Sequence, residues 1–155
     1  MVILTTTYNC ENFVEKSLVS IMTQRFGDFK CYITDDLSTD NSVNLVKNFI
    51  KTDDRFILIE NTNKFYQPGN YDQVIRNNPK IDDSEIIVEI DGDDWLAHNA
   101  VLLMINNIYD KYHVLITYGS YQSYPYNQNL EKYNLPVAQE VINNRSYRTM
   151  SGLFT

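Results

Sequence analysis

The sequence predicts an α/β domain with a mostly parallel central sheet, and three observations predict it. Short β-branched apolar runs alternate with longer amphipathic segments along the chain. The apolar runs are short enough for strands and far below the ~18–20 residues of a membrane span. The first four of them end in polar or acidic residues, and ligands of open α/β sheets sit outside such carboxyl ends. Crossovers between parallel strands of one sheet are expected to be right-handed.

Val2-Ile3-Leu4-Thr5-Thr6 is the first strand, short and buried. Asn9, Glu11 and Asn12 are candidate caps for a helix on which Phe13, Leu18, Ile21 and Met22 recur near helical spacing. Phe29 to Thr34 is the second strand. Asp40 and Asn41 are placed to cap a helix that turns Val43, Val46, Phe49 and Ile50 to one side. Phe56-Ile57-Leu58-Ile59 is the third strand. Residues 70–78 form a short helix with Val74 and Ile75, stopped before Pro79. Glu85 to Ile90 is the clearest strand. A helix from about Asn99 buries Val101, Leu102, Ile105 and Ile108, and His113 to Thr117 is a fifth strand. Residues 118–140 are rich in Tyr and Asn and are expected to form a long loop, and 143–155 a terminal helix. No linker divides the chain, so 1–155 is expected to be a single domain.

The 155 residues suit one core. The net charge of -7 opposes binding to a phosphate backbone, so nucleic acid is not an expected partner. The N-terminus lacks the basic region of a secretory signal. Cys10 and Cys31 have no metal-ligand spacing and are expected to be reduced and buried, in a cytoplasmic protein. His98 is expected at the surface and His113 at the edge of the core. The chain has neither G-x-G-x-x-G nor a P-loop, which argues against dinucleotide and P-loop enzymes. No Gly-rich basic loop near Cys10-Glu11-Asn12 supports a nucleotidyltransferase, and no G-x-S-x-G elbow marks a hydrolase.

The chemistry gathers at the strand ends. These are Thr7-Tyr8-Asn9, Asp35-Asp36-Leu37-Ser38-Thr39-Asp40, Asn61-Thr62-Asn63-Lys64 and Asp91-Gly92-Asp93-Asp94. Three carboxylates within four residues repel one another, and a divalent cation relieves the repulsion. Oxygen ligands without His or Cys suit Mg2+, Mn2+ or Ca2+. An Asp-x-Asp would give one or two ligands, leaving the remainder to water and phosphate. A solvated acidic turn is the bland alternative, and no twelve-residue EF-hand loop is present. Ser38, Thr39 and Asp40 read as turn and cap residues.

In combination and order these motifs resemble the family-2 inverting glycosyltransferases of the GT-A fold. Val2-Ile3-Leu4-Thr5-Thr6-Thr7-Tyr8-Asn9 is similar to the family's strand ending in Pro-Thr-Tyr-Asn. The segment Ser17 to Gln24 follows. Asp35 to Ser42 is similar to its D-D-G-S-T-D-x-S, and Ile90 to Leu96 contains its Asp-x-Asp. The resemblance implies a Rossmann-like three-layer sandwich that binds a nucleotide-diphospho-sugar, UDP-linked by preference, and transfers the sugar to an acceptor hydroxyl. Tyr8 would pack on the base, flanked by Thr7 and Asn9. Asp36 would bond the base imide and Asp91 the ribose side. Asp93, with Asp91, would ligate Mn2+ or Mg2+. Asp94 would adjoin the metal and face the sugar, and Lys64 would reach phosphate.

Thr6 stands where the family has Pro, and Leu37 where it has Gly, so the turn at Leu37 is expected to differ. Phe65 to Asn70 departs from the family's commonest pattern. The family's catalytic base lies well downstream of Asp-x-Asp, which places it beyond Thr155 and implies a C-terminally truncated domain. Asp110 lies too far along a helix to replace it. The alternative reading is a non-catalytic nucleotide-sugar-binding module, or a subunit of a split enzyme. The acceptor, a saccharide or protein, stays open. So do the oligomeric state, a homo-oligomer included, and the use of Tyr118, Tyr121, Tyr124 and Tyr126, for which an interface left by a missing half, an acceptor groove and a loop packed on its own sheet are all compatible.

Overall fold

The computed structural model describes residues 1–112 and 114–119. The chain divides into two compact units, Met1–His113 and Val114–Thr155. The first unit holds four strands, β1 (Val2–Thr7), β2 (Lys30–Asp35), β3 (Phe56–Glu60) and β4 (Ile87–Glu89). Four helices connect or follow them: α1 (Val14–Met22), α2 (Ser42–Phe49), α3 (Tyr66–Asn77) and α4 (Val101–Lys111). A 3-10 turn, Ile50–Thr52, continues α2.

The sheet is parallel throughout, in the order β3-β2-β1-β4. Both of its faces are covered, which is why β1 reads as an unbroken apolar run. Ile3, Cys31, Ile33, Phe56 and Val88 pack with Val14, Leu18 and Ile21 of α1, Val46 of α2 and Leu102 of α4. Val2 and Leu4 face the other way, onto Tyr71 and Val74 of α3. Three helices thus cover one face and one helix the other. This is the three-layer α/β architecture that the alternation predicts.

Four details differ from the sequence reading. Val14, not Phe13, takes the first core position of α1, and Phe13 stays partly exposed outside the helix. α3 begins at Tyr66 rather than at residue 70. Pro68 lies in its first turn, where a missing N–H has no intrahelical partner to lose, so the Pro does not stop the helix. β4 is shorter than expected, although its pairing continues as Ile90 N donates to Leu4 O and Gly92 N to Thr6 O, both at 3.0 Å. Residues 114–119 form no strand, because an apolar run becomes a strand only where a neighbour pairs with it. His113, the remainder of the 118–140 loop and the 143–155 segment lie outside the described residues.

Cys10 and Cys31 are buried free thiols, and burial pushes the Cys31 thiol up to about 12. His98 is exposed. Among the described residues no helix is long and apolar enough to cross a membrane.

Candidate functional site

The sheet grows from β1 through β2 to β3, and the chain then returns to add β4 on the opposite side of β1. That reversal opens a switch point between the carboxyl ends of β1 and β4, where open α/β sheets bind ligands. Tyr8 follows β1 there, and Asp91-Gly92-Asp93-Asp94 follows β4.

The loops after β1 and β2 are fastened to each other. Asn9 N donates to Ser38 Oγ at 3.0 Å, and Thr39 N donates to Asn9 Oδ1 at 2.8 Å. Glu11 N donates to Asp40 Oδ2 at 3.0 Å, while Asn41 N donates to Glu11 Oε2 at 2.9 Å. Cys10 N donates to Ser42 Oγ at 2.9 Å. Asn9 and Glu11 therefore bind the β2–α2 loop rather than capping α1. Asp40 accepts Ser42 N at 3.0 Å and serves the start of α2 as expected. Thr7 is fully buried, and its hydroxyl donates to Asp35 Oδ1 at 3.2 Å. Its side chain supports the loop after β2.

Asp35 and Asp36 divide the work of a turn. Asp35 accepts Ser38 Oγ at 2.5 Å and Ser38 N at 2.9 Å. Leu37 between them adopts φ 69°, the left-handed conformation, so a bulky residue here keeps the backbone that Gly would favour. Asp36 is only 2% exposed. Its carboxylate accepts Asn61 Nδ2 at 3.0 Å and the backbone N–H groups of Phe65 and Tyr66, each at 2.9 Å. Burial pushes this carboxyl upward, but the bonds from Phe65, Asn61 and Tyr66 outweigh burial and hold it below the usual carboxylate range. In this structure the carboxylate is thus committed to the start of α3, rather than open to the edge of a base. Asn61 continues the network, donating to Asn70 Oδ1 at 2.6 Å and accepting from Gln73 Nε2 at 2.9 Å.

Lys64 comes to Tyr8. Its ammonium lies 2.9 Å from the Tyr8 ring centroid and 5.9 Å from that of Tyr66. The contact is a cation–π pair at the mouth of the switch point. Tyr8 remains 51% exposed, so its ring is available to a ligand.

The acidic turn after β4 is held hard against β1. A Cβ on Gly92 would lie 2.7 Å from Thr7 Cγ2 and 2.8 Å from Thr6 O. Gly92 has no positive φ, so the requirement for glycine here is close strand packing rather than backbone conformation. Asp94 N donates to Asp91 O at 3.0 Å and closes the turn. Asp91 Oδ1 accepts Tyr71 OH at 3.3 Å and the amide of Gln67. Asp93 and Asp94 project to solvent. Partial burial raises the Asp94 carboxyl first, and the neighbouring Asp93 and Asp91 carboxylates raise it further. Among the described residues no three His, Cys, Asp or Glu converge on a common point. A cation here would take one or two protein ligands and complete its shell elsewhere. Clustered carboxylate oxygens, whose like charges repel, fit such an ion.

The segment after the turn is bracketed by the buried Gln24, which the sequence reading left without a role of its own. Its Nε2 donates to His98 O at 2.8 Å and to Ser20 O at 2.9 Å, and its Oε1 accepts Leu102 N at 3.1 Å. An orphan N–H of α4 is therefore satisfied by a side chain just past the end of α1. Ser20 Oγ accepts Leu96 N at 3.0 Å. Gln67 and Tyr71 also escape sequence reading. They share one helix face at i,i+4 spacing, but the expected helix began at residue 70, so Gln67 lay outside it.

The family model for glycosyl transferase family 2 matches residues 2–153. Glycosyltransferase GlyA of Streptococcus pneumoniae serotype 4 is 28% identical over 132 residues, which are 79% of this chain and 17% of that protein. Among solved structures, S. aureus TarS 1–349 in complex with UDP-GlcNAc superposes with TM-score 0.62 at 20% identity, over 72% of this chain and 31% of that one. The mannosyltransferase PcManGT from Pyrobaculum calidifontis, in complex with GDP-Man and Mn2+, gives TM-score 0.56 at 22% identity over 63% and 28%. At these identities the two structures show a shared fold. The chain spans less than a third of the length of each of these three proteins.

Proposed function

The chain belongs to glycosyl transferase family 2, and from that premise we propose that it binds a nucleotide-diphospho-sugar, a UDP-sugar by preference, at the β1–β4 switch point and takes part in sugar transfer to an acceptor hydroxyl. One observation carries the reading. The turn Asp91-Gly92-Asp93-Asp94 is locked onto β1 by a glycine that admits no side chain, and it presents Asp93 and Asp94 to solvent beside the exposed Tyr8 ring.

The residues divide the donor between them. Tyr8 offers a ring face to the base, and Lys64 carries a positive charge within reach of the diphosphate. Asp36 acts on the base side by fixing the segment that carries Lys64, with Thr7 and Asn9 as its scaffold. Asp93, assisted by Asp91, would hold Mn2+ or Mg2+, and Asp94 lies next to it toward the sugar. When bound, the cation supplies positive charge against the leaving nucleoside diphosphate. UDP-GlcNAc bound to TarS supports a uridine donor, and Mn2+ bound to PcManGT supports the metal. A second reading is a nucleotide-sugar-binding module without transfer, or a subunit of a split enzyme. Formation of glycosylated product, followed by mass spectrometry, separates the two readings.

Thermal unfolding tests the donor site. UDP with Mn2+, at one hundred times Kd, is expected to stabilise the chain by about 2.7 kcal/mol, or roughly 5–10 °C. Asp93→Ala is expected to abolish that shift, and GDP or dTDP to give a smaller one in the unaltered protein. An unaltered protein whose Tm ignores UDP and Mn2+ sinks the proposal.

A further inference from the structure

We propose that Gln67 and Tyr71 are positioning residues that hold the Asp91 carboxylate in the orientation the donor site uses. The inference rests on the reading of Asp91 to Asp94 as the donor-diphosphate site. It adds two residues that neither the motifs nor the family match assigns.

The hydrogen-bond pattern is complete and each donor is used once. Tyr71 OH donates to Asp91 Oδ1 at 3.3 Å. Gln67 Nε2 has two hydrogens. One goes to the same Oδ1, and the other to Tyr71 OH at 3.3 Å. The reverse amide orientation would face the Gln67 carbonyl oxygen to a carboxylate, so the donor assignment has a chemical basis. Both bonds end on Oδ1. Among the described residues, no hydrogen bond of the chain reaches Oδ2, which leaves that oxygen for a ligand.

The helix that carries these donors is itself fixed. Asp36 receives the backbone N–H groups of Phe65 and Tyr66, immediately before and at the start of α3. Tyr71 packs into the core below the sheet with Val2 and Leu4. The first turns of α3 thus connect the carboxylate after β2 to the carboxylate after β4. A carboxylate just past a short edge strand would otherwise rotate freely. Partners that orient a ligating group typically change its affinity by 10–100-fold when removed.

The test is calorimetric titration of the 155-residue protein with UDP in the presence of Mn2+. Tyr71→Phe keeps the ring and removes the hydroxyl. Gln67→Ala alters an exposed side chain. Each is expected to weaken binding by about three- to tenfold, and the pair by about 10–100-fold, with the ligand-free Tm of Gln67→Ala unchanged. In an Asp91→Ala background, Tyr71→Phe is expected to cause no further loss, because its target is gone. Unchanged affinity in both single variants overturns the assignment and leaves the donor site standing. A Tyr71→Phe loss that persists without Asp91 overturns it as well, since it marks a packing role. An unaltered protein that does not bind UDP with Mn2+ removes the donor-site reading, and this inference with it.

Discussion

The turns after β2 and after β4 look alike as sequence, since each places adjacent aspartates at a strand end, yet the structure uses them in opposite ways. Asp35 and Asp36 are buried, and the chain's own donors surround them. Asp93 and Asp94 face solvent, and Asp94 is raised by burial and by its acidic neighbours. Asp36, with donors around it, is lowered in pKa and serves as scaffold. Asp94, with carboxylates around it, is raised, and such a cluster favours a cation. The lesson is that an acidic pair is assigned by what surrounds it, not by its letters.

Substitutions can break that contrast. The largest effect on stability is expected from Asp36→Ala. It strands the Asn61 amide and two backbone N–H groups, so it should cost about 3 kcal/mol and lower Tm by roughly 10 °C. Chemical denaturation checks it, and a cost below ~1 kcal/mol would show that water replaces the carboxylate without penalty. Acid titration sharpens the same point. The folded pKa of Asp36 is lowered, so its contribution is present above the unfolded carboxyl value near ~4 and fades as pH falls through the lower folded value. Asp36→Asn should therefore flatten the loss of stability below about pH 4, as read by Tm against pH.

Smaller effects test the geometry on either side. Leu37 holds φ 69° with its side chain partly exposed. Relieving a left-handed conformation gains ~1–2 kcal/mol, and the freedom glycine adds to the unfolded chain offsets part of it. Leu37→Gly is expected to stabilise by about 0.5–1 kcal/mol, measured by denaturant midpoint, and a destabilised variant would contradict this account of the turn. The smallest effect is expected from Asp94→Asn. It removes a repelled charge and should raise the neutral-pH Tm by about a degree, the scale of an exposed electrostatic pair, while weakening Mn2+-dependent UDP binding. Asp36→Asn should not raise the neutral-pH Tm, because its carboxylate is surrounded by donors rather than by like charges, which is the sharpest form of the comparison.

The alternation of β-branched runs and amphipathic segments determined the strands and helices of the first unit, because strand and helix periods are local properties of the chain. The motifs by themselves located the strand-end loops and the family, because ligand contacts gather at the carboxyl ends of parallel strands. The start of α3 was not legible, since Pro68-Gly69 reads as a breaker while first-turn positions tolerate it. Nor was the fate of residues 114–117, because pairing depends on a neighbour supplied from elsewhere. Only the tertiary structure decided which aspartates stay open, that Gly92 serves packing against Thr6 and Thr7, and that Gln24, Gln67 and Tyr71 hold the site's segments. Those contacts join residues twenty or more positions apart, or span two elements, so no local pattern encodes them.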